Sequence, residues 1–201
     1  MESSQRTHFD GKVREAGNVW IDNFEQQGNV YILTHAHVDH MVGITSQWNH
    51  GTILCTHMTA DLVRLRYPNL PLRSLDYYEH HCESLPDGKL ITLTLIPASH
   101  CPGSAMAVLR GEQFGTIVHT GDFRFCPEVA ASLRAHVLSH ALDQPVSKVI
   151  TDLTFCQSTA TAFPSHDEVV SQMAQVIERE GMGKTIYVES TMLGTERLVM
   201  N

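Results

Sequence analysis

The sequence predicts an α/β protein whose short buried strands end in potential ligands. Three observations support this. Apolar runs bounded by turn residues recur along the chain, segments with helical apolar spacing lie between or after them, and several runs end in His or Asp. A chain of 201 residues with 42% hydrophobic content is long enough to form a domain with its own core.

The predicted strands cover residues 18–22, 30–33, 52–55, 90–97, 105–109, 115–119, 149–152 and 185–189. The predicted helices cover residues 41–48, 59–67, 165–180 and 194–200. The helix at 59–67 should end before Pro68, and Ser165 with Glu168 has the spacing of a capping box. Residues 110–112 should connect a hairpin, and residues 68–83 are predicted to be irregular. Residues 1–16 are predicted to be loose or to form a short edge element.

Residues 31–43 carry the strongest chemical signal. A short apolar run ends in Thr34, and the four potential ligands that follow, with H-x-H-x-D-H spacing, are His35, His37, Asp39 and His40. In an extended segment His35 and His37 face the same side, and a following helical turn would direct Asp39 and His40 to a second point nearby. Packing alone explains this set poorly, because each buried imidazole needs a partner. We therefore expect two metals in one cleft.

Other predicted strands end in further candidates: Asp22, His100, Asp122 and Asp152. One Asp at a strand end is usually a turn residue. Five ligand-bearing strand ends are better explained by a metallohydrolase site at one edge of a sheet scaffold.

Two other segments resemble sites only superficially. Residues 80–83 read H-H-C-E, but adjacent residues on an extended chain face opposite sides, so we expect a solvated loop. Residues 181–185 suggest a phosphate loop, but Glu178 stands where its first Gly should be and a strand follows it. We interpret that segment as a helix-to-strand turn.

Composition excludes several classes of protein. The five Cys are scattered without a C-x-x-C pair, which argues against a disulfide framework or a Cys-based zinc ribbon and favours a reducing compartment. The polar N-terminus is no secretory signal, and no apolar stretch approaches a membrane span. The net charge of -8 is unfavourable for nucleic-acid binding, and no Lys/Arg-rich run marks a nuclear localisation signal.

Taken together, these motifs resemble the metallo-β-lactamase fold and, within it, the β-CASP branch. The H-C-P-G-S sequence at residues 100–104 and the T-G-D-F-R sequence at residues 120–124 are similar to DNA cross-link repair nucleases of the Artemis and Apollo type. Residues 45–48 and 114–124 look most like the Apollo type. The resemblance covers most of residues 18–200 and implies an αββα sandwich with a dinuclear zinc site.

The resemblance also implies roles for individual residues. His35, His37 and His100 would hold one Zn²⁺, Asp39 and His40 would help to hold the other, and Asp122 would bridge the two. Asp22 would orient a ligand His, and Asp152 would do the same or handle a proton. The catalytic set is therefore expected to be Asp22, Asp39, Asp122 and Asp152.

The implied reaction is hydrolysis of phosphodiesters at the 5′ end of DNA, with 5′-to-3′ exonuclease activity, in cross-link or double-strand break repair in the nucleus. Residues 1–153 correspond to the N-terminal part of the metallo-β-lactamase domain, and residues 154–201 to the beginning of a β-CASP region whose later motifs, including a His for the second zinc, lie beyond this sequence. Two alternatives stay open. One is a truncated metal- or partner-binding fragment with weak or no activity. The other is a metallo-β-lactamase thioesterase, which the residues flanking His100 and Asp122 disfavour.

Overall fold

The structure is a computed structural model that describes residues 9–140, 143–156, 164–187 and 193–194. Its first sheet has the order β1-β2-β3-β4-β5. The strands are β1 Lys12–Val13, β2 Val19–Ile21, β3 Val30–Ile32, β4 Ile53–Thr56 and β5 Leu72–Leu75. Strands β2 to β5 are parallel, and β1 is antiparallel to β2.

The second sheet has the order β10-β9-β8-β7-β6. Its strands are β6 His80–Ser84, β7 Leu90–Pro97, β8 Ala105–Gly111, β9 Gly115–His119 and β10 Val146–Ile150. Neighbouring strands from β6 to β9 are antiparallel, and β10 is parallel to β9. Strands β7, β9 and β10 therefore all end at the same edge of this sheet.

Three apolar clusters define four layers. The two sheets pack face to face through Ile21, Ile32, Leu54, Leu93, Ala107 and Leu109. On the outer face of the first sheet, α1 (His57–Arg66) packs its Ala60 and Val63 against Tyr31 and Ile53. On the outer face of the second sheet, α2 (Pro127–His136) packs its Val129 with Met106 and Val108. The layer order α-β-β-α confirms the predicted fold class.

Helix α3 (His166–Glu180) begins at the predicted place, and both hydrogen bonds of the Ser165–Glu168 capping box are present. The predicted hairpin also forms, with its turn at residues 112–114 between β8 and β9. Within the described residues, no helix combines the length and apolar content that a bilayer crossing requires.

Three secondary-structure predictions were wrong. Residues 41–48 form turns after a short 3-10 helix at Val38–His40, where Gly43 has a φ of 90° and a Cβ would lie within 3 Å of the backbone of Phe24 and Glu25. Residues 68–83 are not irregular, since they contain β5 and most of β6. The short edge element predicted within residues 1–16 is present as β1. Residues 185–187 form no strand, and 188–189 lie outside the described residues.

Two further differences concern the second half of the chain. Helix α2 was not predicted, because only its Val129 is fully buried and the apolar periodicity is therefore weak. Strand β10 begins three residues earlier than expected and ends at Ile150. The predicted helix at 194–200 lies outside the described residues, apart from Gly194.

Candidate metal centre

The carboxyl ends of the two sheets meet at one edge of the sandwich. The backbone N–H of Ala105 donates to the carbonyl of Thr34 at 2.9 Å, which joins the start of β8 to the segment that follows β3. Gly121 follows β9 with a φ of 54°, and a Cβ at this position would lie 2.9 Å from the Thr34 side chain. A glycine here allows the two ligand-bearing segments to approach this closely.

Three imidazoles cluster at this edge. His35 and His37 follow β3 and are buried, and His100 lies in the loop between β7 and β8. The His35 Nε2 atom lies 3.0 Å from His37 Nδ1, and His100 Nε2 lies 3.2 Å from the same nitrogen. The loop that carries His100 is held by Ser104, whose hydroxyl oxygen accepts hydrogen bonds from the backbone N–H groups of His100 and Cys101.

The hydrogen bonds behind the imidazoles determine which nitrogens carry lone pairs. The Thr34 hydroxyl donates to Asp22 Oδ2 at 2.6 Å and so accepts from His35 Nδ1 at 3.0 Å, which leaves the lone pair on His35 Nε2. His37 Nε2 donates to the carbonyl of Leu193 at 2.9 Å, which leaves the lone pair on His37 Nδ1. With both rings neutral, the lone pairs of these two nitrogens would face each other, which is unfavourable unless a cation lies between them.

The spacing also suits a metal. Ligand nitrogens about 2.0–2.1 Å from a tetrahedral Zn²⁺ lie about 3.3–3.4 Å apart. The two measured separations, 3.0 Å and 3.2 Å, are close to this value. The donor atoms of His35, His37, His100 and Cys101 all lie within 4.8 Å of one another. These residues fit a metal ion of the kind that imidazole and thiolate ligands favour.

Asp122 lies between this cluster and His40. Its Oδ1 is 3.3 Å from His40 Nε2, and its Oδ2 is 3.6 Å from His100 Nε2. One oxygen thus faces each half of the site, which is the position that a bridging carboxylate requires. Asp39 is more peripheral, because its side chain is 77% exposed and its Oδ2 is 3.9 Å from His40 Nε2.

Asp22 lies behind the ligands and has its oxygens occupied. Its Oδ1 accepts the backbone N–H of Thr34 at 2.8 Å, and its Oδ2 accepts both the Thr34 hydroxyl and His40 Nδ1, the latter at 2.8 Å. Asp22, His35 and His40 also have donor atoms within 4.8 Å of one another. Because its oxygens already accept these bonds, Asp22 is better suited to orienting His40 and His35 than to binding a metal.

Asp152 lies at the margin of the site. It follows β10, its backbone N–H donates to the Thr120 hydroxyl at 3.1 Å, and its Oδ1 accepts two hydrogen bonds from Thr154. Its charge acts on His100 and raises that imidazole's pKa, against the larger effect of burial. The Asp152 carboxylate is therefore within electrostatic range of the histidine cluster.

The protonation states favour metal binding at three positions. Burial and the nearby His40 lower the pKa of His35 to about 3, and burial also lowers that of His100. Burial opposes protonation of His40, but hydrogen bonds to Asp122 and Asp22 outweigh it and raise its pKa to about 10. The hydrogen bond from His40 lowers the pKa of Asp122 to about 2. Burial thus disfavours the charged forms of His35 and His100, and the carboxylate of Asp122 beside them is ionised.

Sequence reasoning missed two residues near the site. Cys101 joins the histidine cluster, and its position directly after His100 was the available signal. His119 is almost fully buried at the end of β9, and its Nδ1 accepts the backbone N–H of Gly121 at 3.0 Å. That bond holds the turn that carries Asp122. Residues 80–84 instead form an edge strand, where His81 Nε2 contacts Glu83 Oε1 at 2.6 Å.

Comparison with known proteins gives a consistent set of relatives. The chain is 35% identical to the 5′ exonuclease Apollo of Danio rerio over 176 residues, which is 86% of this chain and 29% of that protein. It is 34% identical to the DNA cross-link repair protein SNM1 of Arabidopsis thaliana over 171 residues, 84% of this chain and 33% of that protein. It is 27% identical to Protein artemis of Gallus gallus over 197 residues, 85% of this chain and 26% of that protein.

The chain thus spans between a quarter and a third of the length of these curated relatives. No family model matches it. By sequence the chain is related to Apollo, SNM1 and Artemis, which are metallo-β-lactamase and β-CASP nucleases, and this confirms the resemblance drawn from its motifs.

Proposed function

We propose that this chain contributes the catalytic metal centre of a nuclease that hydrolyses phosphodiester bonds in DNA, acting as a 5′-to-3′ exonuclease in DNA repair in the nucleus. The observation that carries the proposal is the close approach of the ring nitrogens of His35 and His37, which lie 3.0 Å apart beside His100 and Asp122. The choice of DNA as the substrate rests on the relatives, because one is named a 5′ exonuclease and another a DNA cross-link repair protein.

In this proposal His35, His37 and His100 would hold one Zn²⁺. His40 and Asp39 would contribute to a second Zn²⁺, and Asp122 would serve both. Imidazole and carboxylate are ligands that Zn²⁺ accepts readily. The exposed side chain of Asp39 gives the second position a weaker set of described ligands than the first.

When bound, the metal ions supply Lewis acidity towards a phosphoryl oxygen and activate water. The chain's own residues set the geometry for this. Asp22 and Thr34 fix the ring orientations of His40 and His35, and His119 holds the turn before Asp122. Asp122 remains ionised because its pKa is about 2, so it is a poor proton acceptor. We assign proton handling to Asp152 instead, whose Oδ2 makes no hydrogen bond within the described residues.

The net charge of -8 is unfavourable for binding DNA. Two bound Zn²⁺ ions would offset part of this charge at the place where a phosphate must bind. We therefore expect DNA affinity of the chain to depend strongly on metal occupancy.

The direct test combines metal content with digestion of a 5′-phosphorylated single strand. We expect close to two zinc ions per chain and release of nucleotides from the 5′ end. Asp122→Ala should abolish release, whereas Asp61→Ala, which removes an exposed carboxylate on α1 that pairs with Arg64, should not change it. Equal digestion by the Asp122→Ala variant would overturn the proposal.

A second candidate function is metal binding without nuclease activity of its own. The observation that favours it is the 77% exposure of the Asp39 side chain, which leaves the second metal position with few described ligands. It predicts zero or one zinc ion and no digestion. A thioesterase, the third candidate, would cleave a glutathione thioester and leave DNA intact.

A further inference from the structure

A cleft of about 960 Å³ lies on the second sheet, far from the metal centre. Strand β8 connects the two regions, with Ala105 beside Thr34 at the metal edge and Arg110 near the other end of the strand. Five residues of extended chain span roughly 17 Å. The cleft is therefore separate from the site assigned above. Its lining includes His80, Lys89, Thr92, Arg110, Glu112, His140, Asp143 and Gln144.

Arg110 is the unusual group in this lining. It is only 7% exposed, and its Nε and Nη1 atoms find no hydrogen-bond partner within the described part of the chain. Its Nη2 donates to the backbone carbonyl of His136. A guanidinium has five N–H donors, so this single acceptor leaves most of its hydrogen-bonding capacity unused.

The charge of Arg110 is also uncompensated. Burial lowers the pKa of its guanidinium, and no acidic group in the described residues is found to offset this effect. Glu112 and Asp143 line the cleft, but neither forms an ion pair with Arg110 in the structure. Burying an unpaired cation is unfavourable, so an anion that enters the cleft gains an attraction that is weakly screened by water.

The rest of the lining can hold such an anion by directed hydrogen bonds. Lys89 contributes an exposed ammonium group whose present partner, Asp87, lies 2.8 Å away at the surface. Exposed pairs of this kind contribute little to stability and exchange easily. His140 and Thr92 add donors from two other segments of the lining. Arginine with additional donors is the usual recognition chemistry for phosphate.

We propose that this cleft binds a phosphate group, carried by a ligand of about nucleotide size, with Arg110 supplying the central positive charge. The inference does not depend on the metal centre or on nuclease activity. It therefore applies equally if the chain hydrolyses nothing.

The test measures binding of thymidine 5′-monophosphate to the chain after dialysis to remove metals. Calorimetry and melting temperature serve as readouts, with thymidine and inorganic phosphate as separate probes. We expect the monophosphate and inorganic phosphate to bind and to raise the melting temperature, whereas thymidine should have no effect. Arg110→Met should weaken binding at least tenfold, and Arg73→Met, which removes an exposed arginine of the first sheet, should change it less than twofold.

A second variant, Lys89→Ala, keeps the proposal testable if the Arg110 variant does not fold. Because the Lys89 side chain lies at the surface, its loss should weaken phosphate binding severalfold and leave the melting temperature of the unliganded chain unchanged. The proposal is overturned if neither phosphate probe binds, if thymidine binds as well as its monophosphate, or if folded Arg110→Met binds phosphate with unchanged affinity.

Discussion

At the scale of single residues, Asp22 is the carboxylate that we propose orients the metal-site histidines from behind. It accepts hydrogen bonds from the backbone N–H and the hydroxyl of Thr34 and from His40 Nδ1. The Thr34 hydroxyl in turn hydrogen-bonds His35 Nδ1 and so fixes the orientation of that ring. One buried acid thus sets the tautomers of imidazoles assigned to both halves of the site. Such supporting residues commonly contribute a factor of about 10–100 to metal affinity.

We expect Asp22→Asn to weaken zinc binding by about 10–100-fold, measured by competition with a chromophoric chelator. An amide NH₂ group cannot accept the hydrogen bond from His40 Nδ1, so that ring loses its orientation. The φ of 55° at this position suits Asn as well as Asp, so backbone strain is not the cause. Asp61→Asn is the matched surface control, and a change below twofold in Asp22→Asn would contradict the assigned role.

His40 makes stability of the metal-free chain depend on pH. Its pKa is raised from 6.5 to about 10 in the folded chain, so its stabilisation is fully present below pH 6.5 and is lost as the pH rises through 10. The pKa of Asp122 is lowered from 3.8 to about 2, so its stabilisation of the folded chain is fully present above pH 3.8 and is lost as the pH falls through 2. His35 acts in the opposite sense, because its pKa of about 3 means that acid below pH 6.5 favours the unfolded chain.

We therefore expect His40→Gln to destabilise the metal-free chain at pH 6.5, by on the order of a few kcal/mol, and to have little effect above pH 10.5. Urea unfolding at both pH values measures the difference. His57→Gln is the control, because its exposed imidazole should give a small and nearly constant difference. A His40→Gln effect that does not shrink at high pH would show that packing, and not charge, accounts for it.

At the scale of elements, the turn after β9 shows how the two sheets meet. Gly121 has the left-handed φ of 54° and lies against Thr34 of the other sheet. A side chain there would separate Asp122 from the histidine cluster. Gly88 also has a left-handed φ, of 82°, but a Cβ at that position would have no atom within 4 Å. An alanine there would therefore adopt the same unfavourable backbone conformation without a steric clash.

We expect Gly121→Ala to lower the free energy of unfolding by about 1–3 kcal/mol more than Gly88→Ala, and to reduce zinc affinity as well. Both variants incur the cost of a left-handed alanine, so their difference isolates the contact with Thr34. Denaturant unfolding and zinc competition measure the two effects. Equal destabilisation by both variants would mean that the sheets can move apart at this point without loss.

These elements also show what the sequence could and could not predict. Strands β2, β3, β7 and β9 were predictable because their residues are almost all buried and their ends carry His or Asp. Edge strands β5 and β6 were missed because one face is exposed, so their apolar signal is diluted by polar residues. The helix predicted after His40 failed at Gly43, whose conformation is set by the backbone of Phe24 and Glu25.

The residues of the candidate site also fall into those that the sequence could predict and those that it could not. His35, His37 and His100 were predictable from their positions after strands, because strand ends converge in any sheet of this topology. Cys101 could have been found from its position directly after His100, but His119 could not, since its role depends on how its ring is buried and bonded to the turn at Gly121. The exposure of Asp39 was also unpredictable, because it depends on the 3-10 geometry of the loop.

At the scale of the whole molecule, the proposed metal joins the two halves of the sandwich. His35 and His37 follow a strand of the first sheet, whereas His100 and Asp122 follow strands of the second. A ligand shared in this way stabilises only the folded arrangement of both sheets, because the unfolded chain does not hold the ligands together. Metal occupancy should therefore affect the stability of both sheets together and not only that of a local loop.

Removing zinc with excess chelator should lower the melting temperature, and adding zinc back should raise it progressively. Well above the dissociation constant, each tenfold increase in free zinc should add about 1.4 kcal/mol to the free energy of unfolding. His37→Ala and His100→Ala should each lose most of this gain, although the two ligands belong to different sheets, whereas His57→Ala should retain it because that side chain is exposed on α1. If His100→Ala kept the full zinc-dependent gain, the ligands of the first sheet would be sufficient by themselves, and the metal would not connect the two sheets.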